Sequence, residues 1–540
     1  MIRITELSLP LDHTDAELRQ AIVQRLGIKD HQLLDFRVFK RSYDARKKNS
    51  IIQFVYIIDL STSCDAALLE QFRQDPQIKP APDTDYHPVA QAPADLAERP
   101  IVIGFGPCGL FAALILAQMG FKPIVLERGR NVRQRTQDTW ALWRQHQLTP
   151  ESNVQFGEGG AGLFSDGKLY SQVKDPKFYG RKVMQEFVKA GAPDNILYVS
   201  KPHIGTFRLT SVVAKMRAEI IALGGEIRFE SKVVDLLLEN QQVRGVKLAD
   251  GHELLSRYVV LALGHSARDT FRMLHQRQVY VEAKPFAIGF RIEHPQSMID
   301  QARLGKYAGH PELGAADYKL VYHAKNGRPV YSFCMCPGGQ VVAATSEEGR
   351  VVTNGMSQYS RKERNANAGI VVGIYPEQDY PGGPLAGIEL QERLEEIAYE
   401  LGGRDYRAPA QLVGDFLRGE ASQQLGEVIP SYQPGVNLCD LAQALPDYVI
   451  EAIREALPAF GKQIRGFDRE DAVLTGIESR TSSPVRITRD PKTLQSLNTP
   501  GLYPAGEGAG YAGGILSAGI DGIKVAEAVA RDLLADLAQG

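Results

Sequence analysis

"IVIGFGPCGLFAALILAQMGF", residues 101–121, carries no charged side chain and is long enough on paper to cross a bilayer. Its glycines argue otherwise. Gly104, Gly106 and Gly109 fall close together, with Pro107 among them. Glycine permits, and proline imposes, backbone that an unbroken spanning helix does not use. The stretch divides into a short buried strand, a tight turn and an apolar helix that ends at Gly120. "KPIVLERG" then reads as a second buried strand. Strand, helix and strand in roughly thirty residues make a βαβ unit. Its strands are parallel and covered on both faces, so they are continuously apolar.

The spacing Gly104, Gly106, Gly109 is G-x-G-x-x-G, weak alone and informative in this setting. Gly104 serves the turn, Gly106 lets a diphosphate approach the backbone, and Gly109 lets the helix pack closely on the strand. The helix start at Pro107 and Cys108 offers free N–H groups and a positive dipole end to phosphate oxygens. Glu127, closing the second strand, is the acid that accepts bonds from the ribose hydroxyls, and its charge disfavours a 2′-phosphate and hence NADP. Arg128 and Gly129 follow it.

The fingerprint does not separate NAD from FAD, and no second copy of it exists. Two features favour FAD. One is the glycine of "ERG". The other is "PGLYPAGEGAGYAGGI", residues 500–515, which resembles the terminal flavin motif of the glutathione-reductase-like superfamily. That resemblance implies roles for Gly506, Glu507, Gly513, Gly514 and Ile515. An acid holds the ribityl chain, and a helix N-terminus faces the pyrimidine side of the ring, stabilising charge on reduced flavin. Glu507 stands where the superfamily usually has Asp. "YVVLALGHSA" likewise resembles the strand ending in Ala-Thr-Gly, with Leu263 for Thr and Gly264 at the ligand edge.

Longer strings carry a closer resemblance. "NVQFGEGGAGLFSDGKL", "KPHIGT", "ALGHSARDT", "KPFAIGFRIEHPQ", "YSFCMCPGG", "NGMSQYSRKERNANAG" and "TGIESRTSSPVRI" are together similar to a bacterial family of uncharacterised FAD-dependent dehydrogenases. The resemblance runs from about residue 80 to the end. It implies a discontinuous FAD-binding Rossmann-like domain with an inserted second domain, and it supplies no substrate.

The remainder of the chain fits that plan. Its 540 residues predict two or three domains. At 44% hydrophobic and 23% charged it has a soluble, globular balance, and a net charge of −2 gives no global pull toward nucleic acid or anionic membrane. Five cysteines, an odd and sparse set, do not read as a disulfide framework, and the first residues show no secretory signal. A cytoplasmic location is expected. Residues 1–80 read as a small α+β domain whose helix opens on the capping box Thr14 and Glu17. Residues 81–98 read as a linker, 99–280 as the first part of the FAD domain, 281–469 as an inserted mixed α/β domain and 470–540 as the second part. The basic stretch "KRSYDARKKN", with Lys40, Arg41, Arg46, Lys47 and Lys48, reads first as a solvated hairpin loop and second as an anionic contact.

Candidates for chemistry are sparser. Lys168, in the Gly-rich run 153–169, either stabilises reduced flavin or pairs with Asp166. His265 follows the strand ending at Gly264 and is placed to touch flavin or act as acid or base, and His203 is a second candidate. Arg480 and Arg486 either clamp a substrate carboxylate, contact FAD phosphates or pair with Glu478. Asn354, Ser357, Arg364, Asn365 and Asn367 read as a polar pocket wall or a side-chain-capped loop. Cys334 and Cys336 lie on one face of a strand if its alternation holds; the favoured reading is packing, with a flavin-facing redox pair as the alternative. No metal site is expected. The function predicted is an FAD-dependent oxidoreductase moving a hydride between an unknown organic substrate and flavin, with NAD(P)H docking transiently if it is the donor. Alternatives are a flavin-dependent monooxygenase and an RNA-binding or RNA-modifying flavoprotein, although a nucleic-acid partner is disfavoured.

Overall fold

The structure is a computed structural model that describes residues 1–44 and 51–539. The chain forms two compact units. One comprises Met1–Tyr86 with Gln172–His203, the other His87–Ser171 with Ile204–Gly540.

The first unit is built on an antiparallel sheet in the order Leu33–Asp44, Gln53–Thr62, Ile2–Pro10, Ile78–Pro80. Alternating apolar residues bury one face, with Ile2, Ile4, Phe54, Tyr56 and Ile58 inside. The helix Asp15–Leu26 starts at the expected capping box. Thr14 Oγ1 accepts from the Glu17 N–H at 3.3 Å, and Glu17 accepts from the Thr14 N–H at 2.7 Å. Arg3 pairs with buried Asp59 through two bonds of 2.6 and 2.8 Å. Of the basic stretch, Lys40 and Arg41 belong to the strand Leu33–Asp44, while Arg46, Lys47 and Lys48 lie outside the described residues. His203 belongs to this unit.

The second unit holds a five-stranded parallel sheet in the order Leu502–Pro504, Val259–Leu261, Ile101–Ile103, Ile124–Leu126, Glu226–Arg228. Its strands come from widely separated parts of the sequence, so this is a discontinuous FAD/NAD(P)-binding Rossmann-like fold. The central strands are buried on both faces, as their unbroken apolar runs require. The twelve-residue helix Pro107–Gln118 covers one face. The C-terminal helix Ile515–Gln539 crosses it so closely that a Cβ on Gly522 would stand 2.3 Å from the Cys108 carbonyl oxygen. Among the described residues no helix is long and apolar enough to cross a membrane.

A larger mixed sheet is inserted between the strands of this domain. Its path is Val321–His323, Pro329–Ala343, Asn365–Ile374, Phe286–Pro295, Val473–Glu478, Ala408–Leu412, Val436–Leu438, with Thr353–Ser357 added to Pro329–Ala343. The strand Asn365–Ile374 is buried along its whole length, which its small and β-branched residues allow.

Candidate cofactor site

The strand Ile101–Ile103 runs into Gly104 at φ +95, where a Cβ would lie 2.3 Å from the Ala262 carbonyl oxygen. Only glycine satisfies both the conformation and the space. A Cβ on Gly109 would meet the Gly104 carbonyl oxygen at 1.9 Å, so the helix Pro107–Gln118 seats directly on the strand end. Gly106 caps that helix with no side-chain bond, and Pro107 occupies its first turn. The N–H groups of the first turn are therefore not claimed by a cap, and the positive dipole end lies at the sheet edge.

The Gly-rich run closes on this turn. Fully buried Arg135 holds it by donating to the carbonyls of Asn153 (2.7 Å), Val154 (2.8 Å), Gly157 (3.2 Å) and Glu158 (2.7 Å). Burial draws Arg135 down to about 10 against the attraction of Glu127 and Glu158, so it stays charged at neutral pH. Gly159 N–H donates to the Phe105 carbonyl at 2.8 Å. Gly160 sits at φ +60, and a Cβ there would lie 2.8 Å from Gly106 Cα.

Glu127 is buried at the end of Ile124–Leu126. Its Oε2 accepts from Phe105 N–H at 2.8 Å, and its Oε1 accepts from Gly129 (2.8 Å) and Gly157 (2.9 Å). One carboxylate thus ties three loops together. Lone-pair capacity remains on Oε2. Arg128 points elsewhere, stacking 4.1 Å from the Phe156 ring and bonding Glu151 and Asp269. Burial opposes its charge, and the two carboxylates outweigh that and raise it.

The distant C-terminal segment arrives at the same edge because Leu502–Pro504 lies beside Val259–Leu261, which lies beside Ile101–Ile103. The ends of parallel strands are where such sheets place ligands. A Cβ on Gly506 would meet Cys108 Cβ at 2.8 Å, and one on Gly508 would meet the Gly264 carbonyl oxygen at 2.5 Å. A Cβ on Gly162 would meet Ile515 at 2.9 Å and Pro107 at 3.4 Å. The structure therefore brings Gly104, Gly106, Pro107, Cys108, Gly109, Gly264, Gly506 and Ile515 into one neighbourhood. Gly264 and Gly513 have no atom near an added Cβ, and Gly513 and Gly514 are exposed before the C-terminal helix. Cys108 is buried, and burial together with Asp521 pushes its thiol well up, which suits packing.

Glu507 faces Lys284. Burial pushes the Glu507 carboxyl up to about 8, Lys284 opposing and Cys334 adding to the rise. Burial also lowers Lys284, with Glu507 opposing. Lys284 Nζ donates to Ser482 Oγ at 3.1 Å.

His265 is paired through Nδ1 with Ser266 Oγ at 2.9 Å. Burial, then the charges of Arg480 and Arg268, lower it from 6.5 to about 3, which favours the neutral ring at physiological pH. A histidine that resists protonation in the fold leaves stability intact above about pH 6.5 and loses it as pH falls from there toward 3. His265→Gln is expected to flatten that acid limb in melting curves taken from about pH 4 to 8. An unchanged limb would mean that other groups carry it.

The remaining candidates divide. Arg480 directs all five N–H groups at protein partners: Glu395 at 2.9 and 2.7 Å, Ser266 at 3.0 Å, Ser346 at 2.7 Å and Glu347 at 3.4 Å. No donor is left for a substrate carboxylate, one of the three partners the sequence left open, and Ser266, which Arg480 bonds, is the residue that pairs with His265. Arg486 is exposed and stacks 4.8 Å from the Tyr511 ring. Glu478 pairs with neither arginine of its own segment. It holds buried Arg291 through two bonds of 2.9 Å. Asn367 Oδ1 accepts from Arg291 at 2.7 Å, and Asn365 donates to Glu293 at 2.9 Å, so these amides line buried polar contacts. Asp166 bonds Arg361 bidentately, with Lys168 3.9 Å away. Lys168 Nζ instead donates to the Met335 carbonyl. Sequence reading did not single out Lys284, Arg361 or Glu395 individually, since each partner lies far along the chain.

Residues 285–481 match a family model described as "FAD-dependent protein, C-terminal domain-like", and residues 1–61 match "Domain of unknown function (DUF8436)". An uncharacterised protein of Clostridium beijerinckii is 47% identical over 527 residues, covering 97% of this chain and 98% of that one. The chain belongs to one family with this clostridial protein. Among solved structures, a geranylgeranyl bacteriochlorophyll reductase-like protein from Thermoplasma acidophilum is similar at 12% identity and a TM-score of 0.37, covering 81% of this chain and 79% of that one. L-proline dehydrogenase from P. horikoshii is similar at 14% identity and a TM-score of 0.33, covering 80% and 93%.

Proposed function

We propose that the chain binds FAD along the carboxyl edge of its parallel sheet and is an FAD-dependent oxidoreductase acting on an organic substrate. One observation carries the reading. Segments 104–109 and 506–515, far apart in sequence, meet where Gly506 abuts Cys108, and Gly162 of the Gly-rich run touches both Pro107 and Ile515. The backbone of Gly104, Gly106 and Gly109 suits a diphosphate, Glu127 Oε2 retains an acceptor site for a ribose hydroxyl, and the helix starting at Ile515 offers its positive end to a flavin ring. FAD, when bound, supplies two-electron hydride chemistry.

The protein's own groups set the surroundings. Glu507, held up to about 8, is largely protonated at neutral pH and donates as well as accepts. His265 is a neutral hydrogen-bonding ring, and Arg480, Ser266 and Glu395 fix its orientation. Lys168 brings a positive charge, raised by Cys336, Cys334 and Asp166 against the effect of burial.

The reading is tested by recording the visible spectrum of purified protein, titrating it with FAD, and adding NADH, NADPH and a metabolite panel without oxygen. A flavin spectrum and bleaching by one donor are expected. Folded protein that stays colourless and does not take up FAD would end the reading. Gly160→Ala should weaken FAD binding at least tenfold, about 1.4 kcal/mol. It strains a positive φ and drives a Cβ into Gly106.

A further inference from the structure

The strand Pro329–Ala343 does not keep its alternation across the two cysteines. Phe333 faces Gly369 and Cys336 faces Asn367, so Cys334 and Met335 together oppose one residue, Ala368. This is a β-bulge, a device that re-aims side chains and is common beside active sites. Cys334 sits in it at φ +43, a left-handed conformation that a non-glycine residue holds only when its surroundings enforce it.

The surroundings do so. Arg291 Nη1 donates to the Cys334 carbonyl at 3.2 Å while Glu478 grips the same guanidinium. Lys168 Nζ donates to the carbonyl of Met335, the residue between the cysteines. Cys336 Sγ lies 3.4 Å from the Cys334 carbonyl oxygen, and the two thiols titrate as an interacting pair. Cys334 is half-buried and Cys336 is buried, so Cys334 is the more accessible residue of the two. Opposite Cys336, Asn367 is fully buried, and its Nδ2 has no hydrogen-bond partner among the described residues.

We propose that Cys334 and Cys336 form a redox couple, cycling between a dithiol and an intramolecular disulfide with Cys334 as the nucleophilic sulfur. The charges agree with this division. The Cys336 hydrogen bond, then Lys168 and Arg291, lower the Cys334 thiol against burial and Glu478. The bond to Cys334 and burial raise Cys336, which keeps the proton. Oxidation forms the Sγ–Sγ bond, breaks the S–H bond of Cys336, and releases two electrons and one proton. Bound FAD would be the acceptor for that hydride equivalent. For this acceptor the inference rests on the FAD reading above. The Cys334 charge acts on Glu507 of the C-terminal segment, so the couple lies within electrostatic range of that segment.

The test uses the full chain. Protein is equilibrated in dithiothreitol buffers of graded oxidised-to-reduced ratio, quenched in acid, alkylated and mapped by peptide mass spectrometry. The peptide carrying both cysteines should lose two hydrogens and resist alkylation above one defined ratio. Under reducing conditions iodoacetamide should label Cys334 with a midpoint well below the ordinary thiol value of about 8.5. Lys168→Gln should slow labelling at about pH 6.5 severalfold by raising that midpoint. Double alkylation at every ratio, with an ordinary midpoint for Cys334, would overturn the proposal. FAD uptake is read separately by absorbance. Protein that binds FAD without forming the disulfide refutes the couple alone, and a disulfide in protein that refuses FAD keeps the couple while refuting the cofactor reading and the flavin as its acceptor.

Discussion

Glu395→Ala is expected to cost about 3–5 kcal/mol of stability, enough to abolish or sharply lower the folding transition. Glu395 is fully buried and is shared by two buried arginines. Arg268 reaches it at 2.7 and 3.0 Å, Arg480 at 2.9 and 2.7 Å, and Ser479 Oγ donates at 2.7 Å. Removing the carboxylate leaves two guanidinium groups facing each other in a region from which water is excluded. Burial alone would raise the acid, yet Arg268 and Arg480 hold it well below the usual carboxylate range. A depressed acid contributes stability that is present above its unfolded value of about 4.3 and is lost only as pH falls through the lower native value. Urea unfolding at neutral pH checks the size, and an acid titration checks the sign. A loss under about 1 kcal/mol would show that Glu347 compensates, since it already touches both arginines.

Glu127→Gln is expected to cost roughly 1.5–3 kcal/mol and to weaken FAD at least tenfold. The amide keeps the shape, and its single oxygen still accepts from Gly129 and Gly157. Its NH2 then confronts the Phe105 N–H, where the carboxylate had an acceptor. Two donors meet in a buried place, and the turn that positions Gly104 and Gly106 is disturbed. Thermal melts and FAD titration separate the two effects. Stability lost with FAD affinity unchanged would make Glu127 a loop clasp with no part in the cofactor site.

How much was legible depended on the reach of each requirement. The turn at Gly104 is dictated by its φ of +95 and by the strand and helix on either side, all within a few residues. The same holds for the Thr14 and Glu17 capping box. The bulge at Cys334 was invisible, because alternation along Pro329–Ala343 gives no sign of a slip that only the partner strand defines. Charged partners were least legible. For Arg480 the sequence left a substrate clamp, FAD phosphates and Glu478 as open partners, and for Asp166 it offered Lys168, which does lie 3.9 Å away. The strongest partners of Arg480, Glu478 and Asp166 are residues far away: Glu395, Arg291 and Arg361.

Taken by itself, the sequence determined that a strand must turn sharply at Gly104 into an apolar helix, and that an acid must close the next strand at Glu127. Those demands are steric and local, and few other residue types meet them. Tertiary structure alone decided that Leu502–Pro504 pairs beside Val259–Leu261, bringing Gly506 onto Cys108. It alone decided which buried charges neutralise one another, because Coulomb attraction in a water-poor interior depends on distance in space and not on distance along the chain.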